Sequence, residues 1–182
     1  RLARISGTGF GCKVLAYDPY LTAQEINQRA AQSVGFDELL QSADIVSVHT
    51  PLTTQTHNLF DSDAFTHMKK GAIFVNAARG SIHDEDALAD ALASGHLGGA
   101  GLDVWDSEPP AKEHRLLHLP NVVATPHIAG YTSDSLANMA EYAATQLLQI
   151  FAGEPPPRPV NPEVLPRFQS RFAQILGEPS KT

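Results

Sequence analysis

The segment GAIFVNAARG, residues 71–80, decides the fold that this sequence predicts. It contains a predicted strand from Ala72 to Asn76 whose first four residues are apolar without alternation, and a charged residue, Arg79, follows shortly after. An unbroken run of this length is typical of a strand that is buried on both faces, as in a parallel sheet. Comparable runs occur along the chain, at residues 12–17, 44–48, 99–104 and 122–125.

Helical segments alternate with these runs. The one at residues 83–94 has acids in its first turn and Gly95 at its end, which suit the helix dipole and a C-terminal cap. The predicted helices cover residues 22–30, 36–42, 61–68, 83–94, 132–152 and 163–175. Strands alternating with helices predict an α/β fold, a doubly wound, Rossmann-like parallel sheet with helices on both faces. We expect this domain to cover residues 1–152, and residues 153–182 to form a linker and a C-terminal tail.

Composition excludes several classes of partner. The chain has 182 residues and a net charge of −7, so a basic footprint for nucleic acid or anionic membrane is absent. A single cysteine, Cys12, allows no internal disulfide and suits a reducing compartment. The sequence has no apolar run of transmembrane length. A soluble, cytoplasmic protein is the expectation.

The glycines in GTGFG, residues 7–11, are not expected to form a phosphate-binding loop. Such a loop follows a strand and opens a helix, whereas these glycines follow a helical segment and precede a strand. A ribose-binding acid lies about 20 residues after the fingerprint, and counting back from Asp18 reaches a point before Arg1. We therefore expect the chain to be truncated, with the first strand and its glycine loop missing and the sheet incomplete at that edge.

Titratable residues follow three predicted strands. Arg79 follows the first, Asp103 and Glu108 follow the second, and His127 follows the third. The carboxyl ends of parallel strands meet at one edge, where such sheets bind ligands. Taken singly, each residue also has a plain structural explanation as a surface ion-pair residue, a loop or turn acid, or a helix cap. Their joint placement favours a catalytic site.

The chain resembles the D-isomer-specific 2-hydroxyacid dehydrogenase family. The resemblance rests on an ordered set of motifs: CKVLAYDP at 12–19, HTP at 49–51, NAARG at 76–80, DVWDSEP at 103–109 and TPH at 125–127. It implies a two-domain fold, in which residues 1–152 are part of a dinucleotide-binding domain and residues 153–182 lead back into a substrate domain. It also implies a homodimer, NAD as cofactor, and a small 2-oxo or 2-hydroxy acid as substrate. It implies a catalytic triad of Arg79, Glu108 and His127. The implied cofactor contacts are Asp18, Pro19, His49, Thr50, Pro51, Ala77, Ala78, Arg79, Asp103, His127 and Gly130; no metal is implied.

The chemistry of these side chains agrees with the implied roles. An imidazole such as His127 titrates near working pH and suits a proton donor. A carboxylate such as Glu108 fixes the ring tautomer and stabilises the imidazolium. The guanidinium of Arg79 can hold a carboxylate and polarise a carbonyl group. A carboxylate at Asp18 would bind ribose hydroxyls and repel a 2′-phosphate, which favours NAD over NADP.

Two other interpretations stay open. Some members of the family are co-repressors that sense NADH, so the chain could belong to a binding protein. It could also be a non-functional remnant, and the isolated chain is expected to be inactive. His114 and His118, four residues apart, lack a third metal ligand and are expected to be structural or exposed.

Overall fold

The computed structural model describes residues 1–176 and separates into two units, the first of which is Arg1–Ala129 and the second of which begins at Gly130. The first unit opens with α1 (Leu2–Arg4), which continues as a π-helix over Ile5–Gly9. Gly11 then adopts a φ of 66° as the chain turns toward the first strand. The glycines thus connect a helical segment to a strand, as the sequence predicts.

A small parallel sheet comes first. Its strands are β1 (Leu15–Ala16) and β2 (Gln32–Ser33), and α2 (Ala23–Asn27) lies between them along the chain. Strand β1 is shorter than the predicted strand at residues 12–17. Strand β2 was not predicted, because its two residues are polar and carry no apolar run.

Four parallel strands form the main sheet, in the order of the chain. They are β3 (Ile45–Val48), β4 (Ile73–Asn76), β5 (Gly99–Leu102) and β6 (Val122–Ala124). The helices of this region are α3 (Phe36–Ser42), α4 (Ser62–His67) and α5 (Glu85–Ala93). These elements confirm the predicted alternation of strands and helices to within a few residues at each end.

The hydrophobic core lies on one face of the main sheet. Its buried side chains come from alternate strand positions and from the three helices, and include Val46, Val48, Phe74, Ala100, Leu102, Leu40, Phe65, Leu88 and Leu92. The rings of Phe65 and Phe74 meet edge to face, with centroids 5.2 Å apart. All the crossovers progress in one direction along the sheet, so right-handed connections place their helices on the same side.

The other face of the main sheet is open within the first unit. Ile45, Ile73 and Val123 are 60%, 41% and 71% exposed there. The sequence predicts helices on both faces, whereas in this unit α3, α4 and α5 share one cluster with a single face. The prediction of two covered faces is therefore not met by the first unit on its own.

The described part of the second unit, residues 130–176, contains two α-helices. Helix α6 (Ser133–Phe151) begins at Thr132, whose hydroxyl accepts a hydrogen bond from the Ser135 amide, and α7 (Leu165–Leu176) follows a short 3₁₀ helix at Pro162–Val164. The apolar residues of α6 recur at helical spacing, yet none of its residues is buried. Among the described residues, no helix combines the length and apolar character needed to cross a bilayer.

Gly80 lies against the backbone of the loop that follows β5. A Cβ atom at this position would approach the carbonyl carbon and oxygen of Trp105 to 2.1 Å, and the Asp106 nitrogen to 2.6 Å. All three are backbone atoms, which cannot rotate away as a side chain can. Only glycine lets the loops after β4 and β5 approach this closely.

The substitution Gly80→Ala should therefore destabilise the protein, because overpacking against fixed backbone costs about 1–3 kcal/mol and occasionally more. Urea unfolding followed by circular dichroism measures the effect. Gly9→Ala is the matched control, since nothing lies within 4 Å of a Cβ there. An unchanged midpoint for Gly80→Ala would contradict the close approach of the two loops.

Candidate active site

Three loops meet at the carboxyl edge of the main sheet. They follow β4, β5 and β6, and backbone hydrogen bonds connect them to neighbouring strands. The Asp103 amide donates to the Asn76 carbonyl at 3.0 Å, and the Thr125 amide donates to the Leu102 carbonyl at 2.9 Å. These bonds place the residues that follow each strand side by side.

The carboxylate of Asp103 organises the turn after β6. Its Oδ1 accepts hydrogen bonds from the Thr125 hydroxyl at 2.6 Å and the Ile128 amide at 2.8 Å, and its Oδ2 accepts one from the Ala129 amide at 2.8 Å. Burial disfavours the charged form, but these hydrogen bonds outweigh it, and the pKa of Asp103 is lowered. The carboxylate thus stays ionised and holds the turn together.

Within this turn, His127 has a left-handed backbone conformation, with a φ of 56°. Histidine is among the few non-glycine residues enriched in this region, although the conformation carries a cost. The hydrogen bonds from Ile128 and Ala129 to Asp103 follow directly after it and stabilise it. Asp103 therefore determines where the imidazole of His127 lies.

His127 and Glu108 form a pair. Nδ1 of His127 lies 2.8 Å from Oε2 of Glu108, and the other carboxylate oxygen accepts a hydrogen bond from the Trp105 amide at 3.2 Å. The hydrogen bond from His127 is the main cause that lowers the pKa of Glu108. With Nδ1 facing the carboxylate, Nε2 is the ring nitrogen that could exchange a proton with a ligand.

Arg79 lies on the same side as this pair. Its positive charge contributes to the lowered pKa of Glu108, and one of its terminal nitrogens donates to the Ala78 carbonyl at 2.6 Å. The side chain of Asn76 binds the backbone of the loop that carries Arg79. The Asn76 side-chain NH₂ group donates to the Arg79 carbonyl at 2.8 Å, and its side-chain oxygen accepts from the Ala78 backbone amide at 2.9 Å.

The implied cofactor contacts divide into two sets. One set borders a cavity of about 510 Å³ beside the ends of β3 and β4, formed by His49, Thr50, Pro51, Leu52, Ala77, Ala78 and Arg79. This volume falls within the usual range for small-molecule pockets, and nucleotides bind at this edge of parallel sheets. The residues present therefore fit part of a dinucleotide.

The other set does not border this cavity. Asp18 and Pro19 follow β1 in the small sheet, and Asp18 accepts a hydrogen bond from the Tyr20 amide at 2.9 Å. Asp103 is buried in the turn that it stabilises. Gly130 is the first residue of the second unit. The roles of these residues toward a cofactor stay predictions.

The family model described as "D-isomer specific 2-hydroxyacid dehydrogenase, NAD binding domain" matches residues 1–129 of this chain. The chain belongs to this family. Among its relatives, D-3-phosphoglycerate dehydrogenase of Bacillus subtilis (strain 168) is 40% identical over 167 residues, covering 91% of this chain and 31% of that protein. Glyoxylate reductase of Korarchaeum cryptofilum (strain OPF8) is 39% identical over 165 residues, covering 88% of this chain and 50% of that protein.

Solved structures of the family share the fold. The crystal structure of D-lactate dehydrogenase with NAD⁺ from Lactobacillus jensenii superposes with a TM-score of 0.78 at 35% identity, covering 85% of this chain and 50% of that one. The predicted Rossmann-like α/β class and NAD as the cofactor of this domain are thereby confirmed. This chain spans half or less of the length of these relatives.

A second pair, Glu85 and His114, holds the loop after β5. The sequence did not predict this pair. Glu85, in the first turn of α5, accepts a hydrogen bond from the Asp106 amide at 2.9 Å, and its other oxygen lies 2.9 Å from Nε2 of His114. His118 instead lies 2.9 Å from the Lys112 carbonyl, so the two histidines have different partners. A first-turn acid signals only a helix start, which is why this cross-link had no sequence signal.

Replacing His127 with phenylalanine should raise the pKa of Glu108 toward its ordinary value of 4.5, because the largest cause of the lowered value is removed. Carboxyl titration by NMR measures the change. His118→Phe, which removes an imidazole bonded to another residue, should leave Glu108 unchanged. An unaltered Glu108 titration in His127→Phe would show that the pair does not form in solution.

His83 gives a second titration test. Burial lowers the pKa of this imidazole from 6.5 to about 4. Below about pH 6.5 the unfolded chain binds a proton that the native state binds only near pH 4, so stability is present at higher pH and is lost on acidification. The full loss amounts to about 3 kcal/mol.

The free energy of unfolding, measured with urea across this pH range, should therefore fall less steeply in His83→Leu than in the parent protein. His67→Leu serves as the control, because His67 is exposed on α4. If the slope is the same in His83→Leu and the parent, His83 is not the buried neutral group described here.

Proposed function

We propose that this chain is the cofactor-binding part of an NAD-dependent oxidoreductase that interconverts a small D-2-hydroxy acid and its 2-oxo acid. The observation that carries this proposal is the 2.8 Å contact between His127 and Glu108, on the same side of the sheet edge as Arg79. Membership of the family supports the same chemistry. Bound NAD would supply the hydride chemistry.

In this proposal His127 is the proton donor for reduction. Its Nε2 would give a proton to the carbonyl oxygen of the 2-oxo acid and recover it in the reverse direction. Glu108, facing Nδ1, keeps the ring in the required tautomer and stabilises the imidazolium. Both side chains are partly exposed, which leaves room for a substrate to reach them.

Arg79 is proposed as the substrate anchor. Its guanidinium would bind the substrate carboxylate with paired hydrogen bonds and polarise the carbonyl group. The cavity beside it, bordered by His49, Thr50, Pro51 and Ala78, would receive part of the cofactor. Asp18 would bind the ribose hydroxyls, which supports NAD rather than NADP as the cofactor.

The remaining predictions concern the larger assembly. We propose that residues 153–182 belong to a substrate domain and that residues 1–152 belong to the nucleotide domain. A homodimer and a cytoplasmic location stay predictions from the family resemblance and from composition. The substrate class follows from the chemistry of Arg79, His127 and Glu108, which suits a 2-oxo acid.

The test is His127→Ala in the natural protein at its full length. Loss of a general acid costs about 10²–10⁴-fold in turnover, so kcat for NADH-dependent reduction of glyoxylate or hydroxypyruvate should fall by that much. NADH affinity, measured by fluorescence titration, should be retained. His118→Ala is the matched control and should keep the parent kcat.

Two outcomes would contradict the proposal. Normal turnover by His127→Ala would overturn the proton-donor role. A parent protein that binds NADH but reduces no 2-oxo acid in a panel would favour the NADH-sensing alternative over the enzyme.

A further inference from the structure

His83 is a buried imidazole to which the proposed chemistry gives no role. It lies directly after the 3₁₀ turn Gly80–Ile82, is 0% exposed, and packs against the ring of Phe74 with centroids 5.5 Å apart. Its Nδ1 lies 3.0 Å from the Asn76 side-chain nitrogen. Its Nε2 is buried and has no hydrogen-bond partner among the described residues.

The surroundings of Asn76 fix the proton on this ring. The Asn76 side-chain oxygen faces the Ala78 amide, so its NH₂ group is the one that faces both the Arg79 carbonyl and His83. That NH₂ group has two donors and no acceptor. Nδ1 of His83 must therefore accept, and the ring proton is on Nε2.

This arrangement has a cost that an apolar side chain would avoid. A buried donor without a partner costs about 1–3 kcal/mol, and Nε2–H of His83 is such a donor. A leucine at this position would remove the unpaired donor and suit the neighbouring Phe74. The benefit of histidine must then come from its other nitrogen, which accepts from Asn76.

Asn76 transmits this contact to the loop that carries Arg79. With one N–H bonded to His83 and the other to the Arg79 carbonyl, its amide plane is fixed from both sides. The side-chain oxygen fixes the Ala78 amide in the same way. Without the acceptor at His83, the Asn76 side chain would be held only by its bonds to Ala78 and Arg79, and the loop would be positioned less firmly.

We propose that His83 is a positioning residue for Arg79, acting through the side chain of Asn76. The inference rests on the proposed function of Arg79 as the anchor for the substrate carboxylate. It predicts that changes at His83 affect binding of the 2-oxo acid more than binding of NADH.

The test compares two substitutions in the natural protein at its full length. His83→Leu removes the acceptor and the unpaired donor, whereas His83→Asn places a side-chain oxygen close to the position of Nδ1. Loss of one neutral hydrogen bond costs about 1 kcal/mol, so His83→Leu should raise the KM for glyoxylate or hydroxypyruvate about fivefold. His83→Asn should stay within about twofold of the parent KM.

Three further measurements separate positioning from general damage. NADH affinity and the urea midpoint at about pH 7.5 should stay close to the parent values in His83→Leu, because removing the unpaired Nε2–H offsets the loss of the acceptor for Asn76. A merely structural role would instead lower NADH affinity and stability together with kcat. His67→Leu, on an exposed helix face, should leave KM unchanged.

The substitution Arg79→Lys distinguishes a failure of the anchor role of Arg79 from a failure of the positioning role of His83. If Arg79→Lys leaves the KM unchanged, the proposed anchor role is wrong, and this inference falls with it. If Arg79→Lys raises the KM and His83→Leu does not, only the positioning role of His83 is overturned. If both substitutions raise the KM, the double variant should lose much less binding free energy than the sum of the two single losses, because the effects of coupled residues are not additive.

Discussion

The site depends on one constraint, the parallel register of β4, β5 and β6. Asn76 is paired with Leu102, and Leu102 with Ala124, so the three strands end at a common edge. Each following loop starts at that edge and cannot reach the opposite side of the sheet in a few residues. Residues far apart in sequence are thereby brought together, and the chemistry of each loop can be combined with that of the next.

Register alone does not orient the side chains of the site. Buried polar groups that bind the loops determine their orientation. Asp103 binds the turn after β6, and Asn76 binds the loop after β4. Each does so with hydrogen bonds to backbone groups, which position a loop more firmly than contacts to mobile side chains. The partly exposed side chains of Glu108 and His127 are therefore supported by buried residues, and the buried residues determine their geometry.

The sequence predicts the main sheet well, because each strand is an apolar run bounded by turn residues. It does not predict β2, since Gln32-Ser33 is polar and becomes a strand only by pairing with β1. Topology places Glu108 and His127 at one edge, but their contact depends on a left-handed turn that no spacing rule encodes. The contact between His83 and Asn76 had no sequence signal, because the two side chains meet only in the folded structure.

The sequential strand order also bears on how the protein is made. Each strand of the main sheet pairs with the one synthesised before it, so the sheet can grow from β3 to β6 as the chain leaves the ribosome. Parallel pairing requires a complete crossover for each added strand, so its contacts are non-local and folding of the sheet is slow. Glu108 meets His127 only after β6 has joined the sheet. This contact would then form last, and its presence would report that the whole main sheet has assembled.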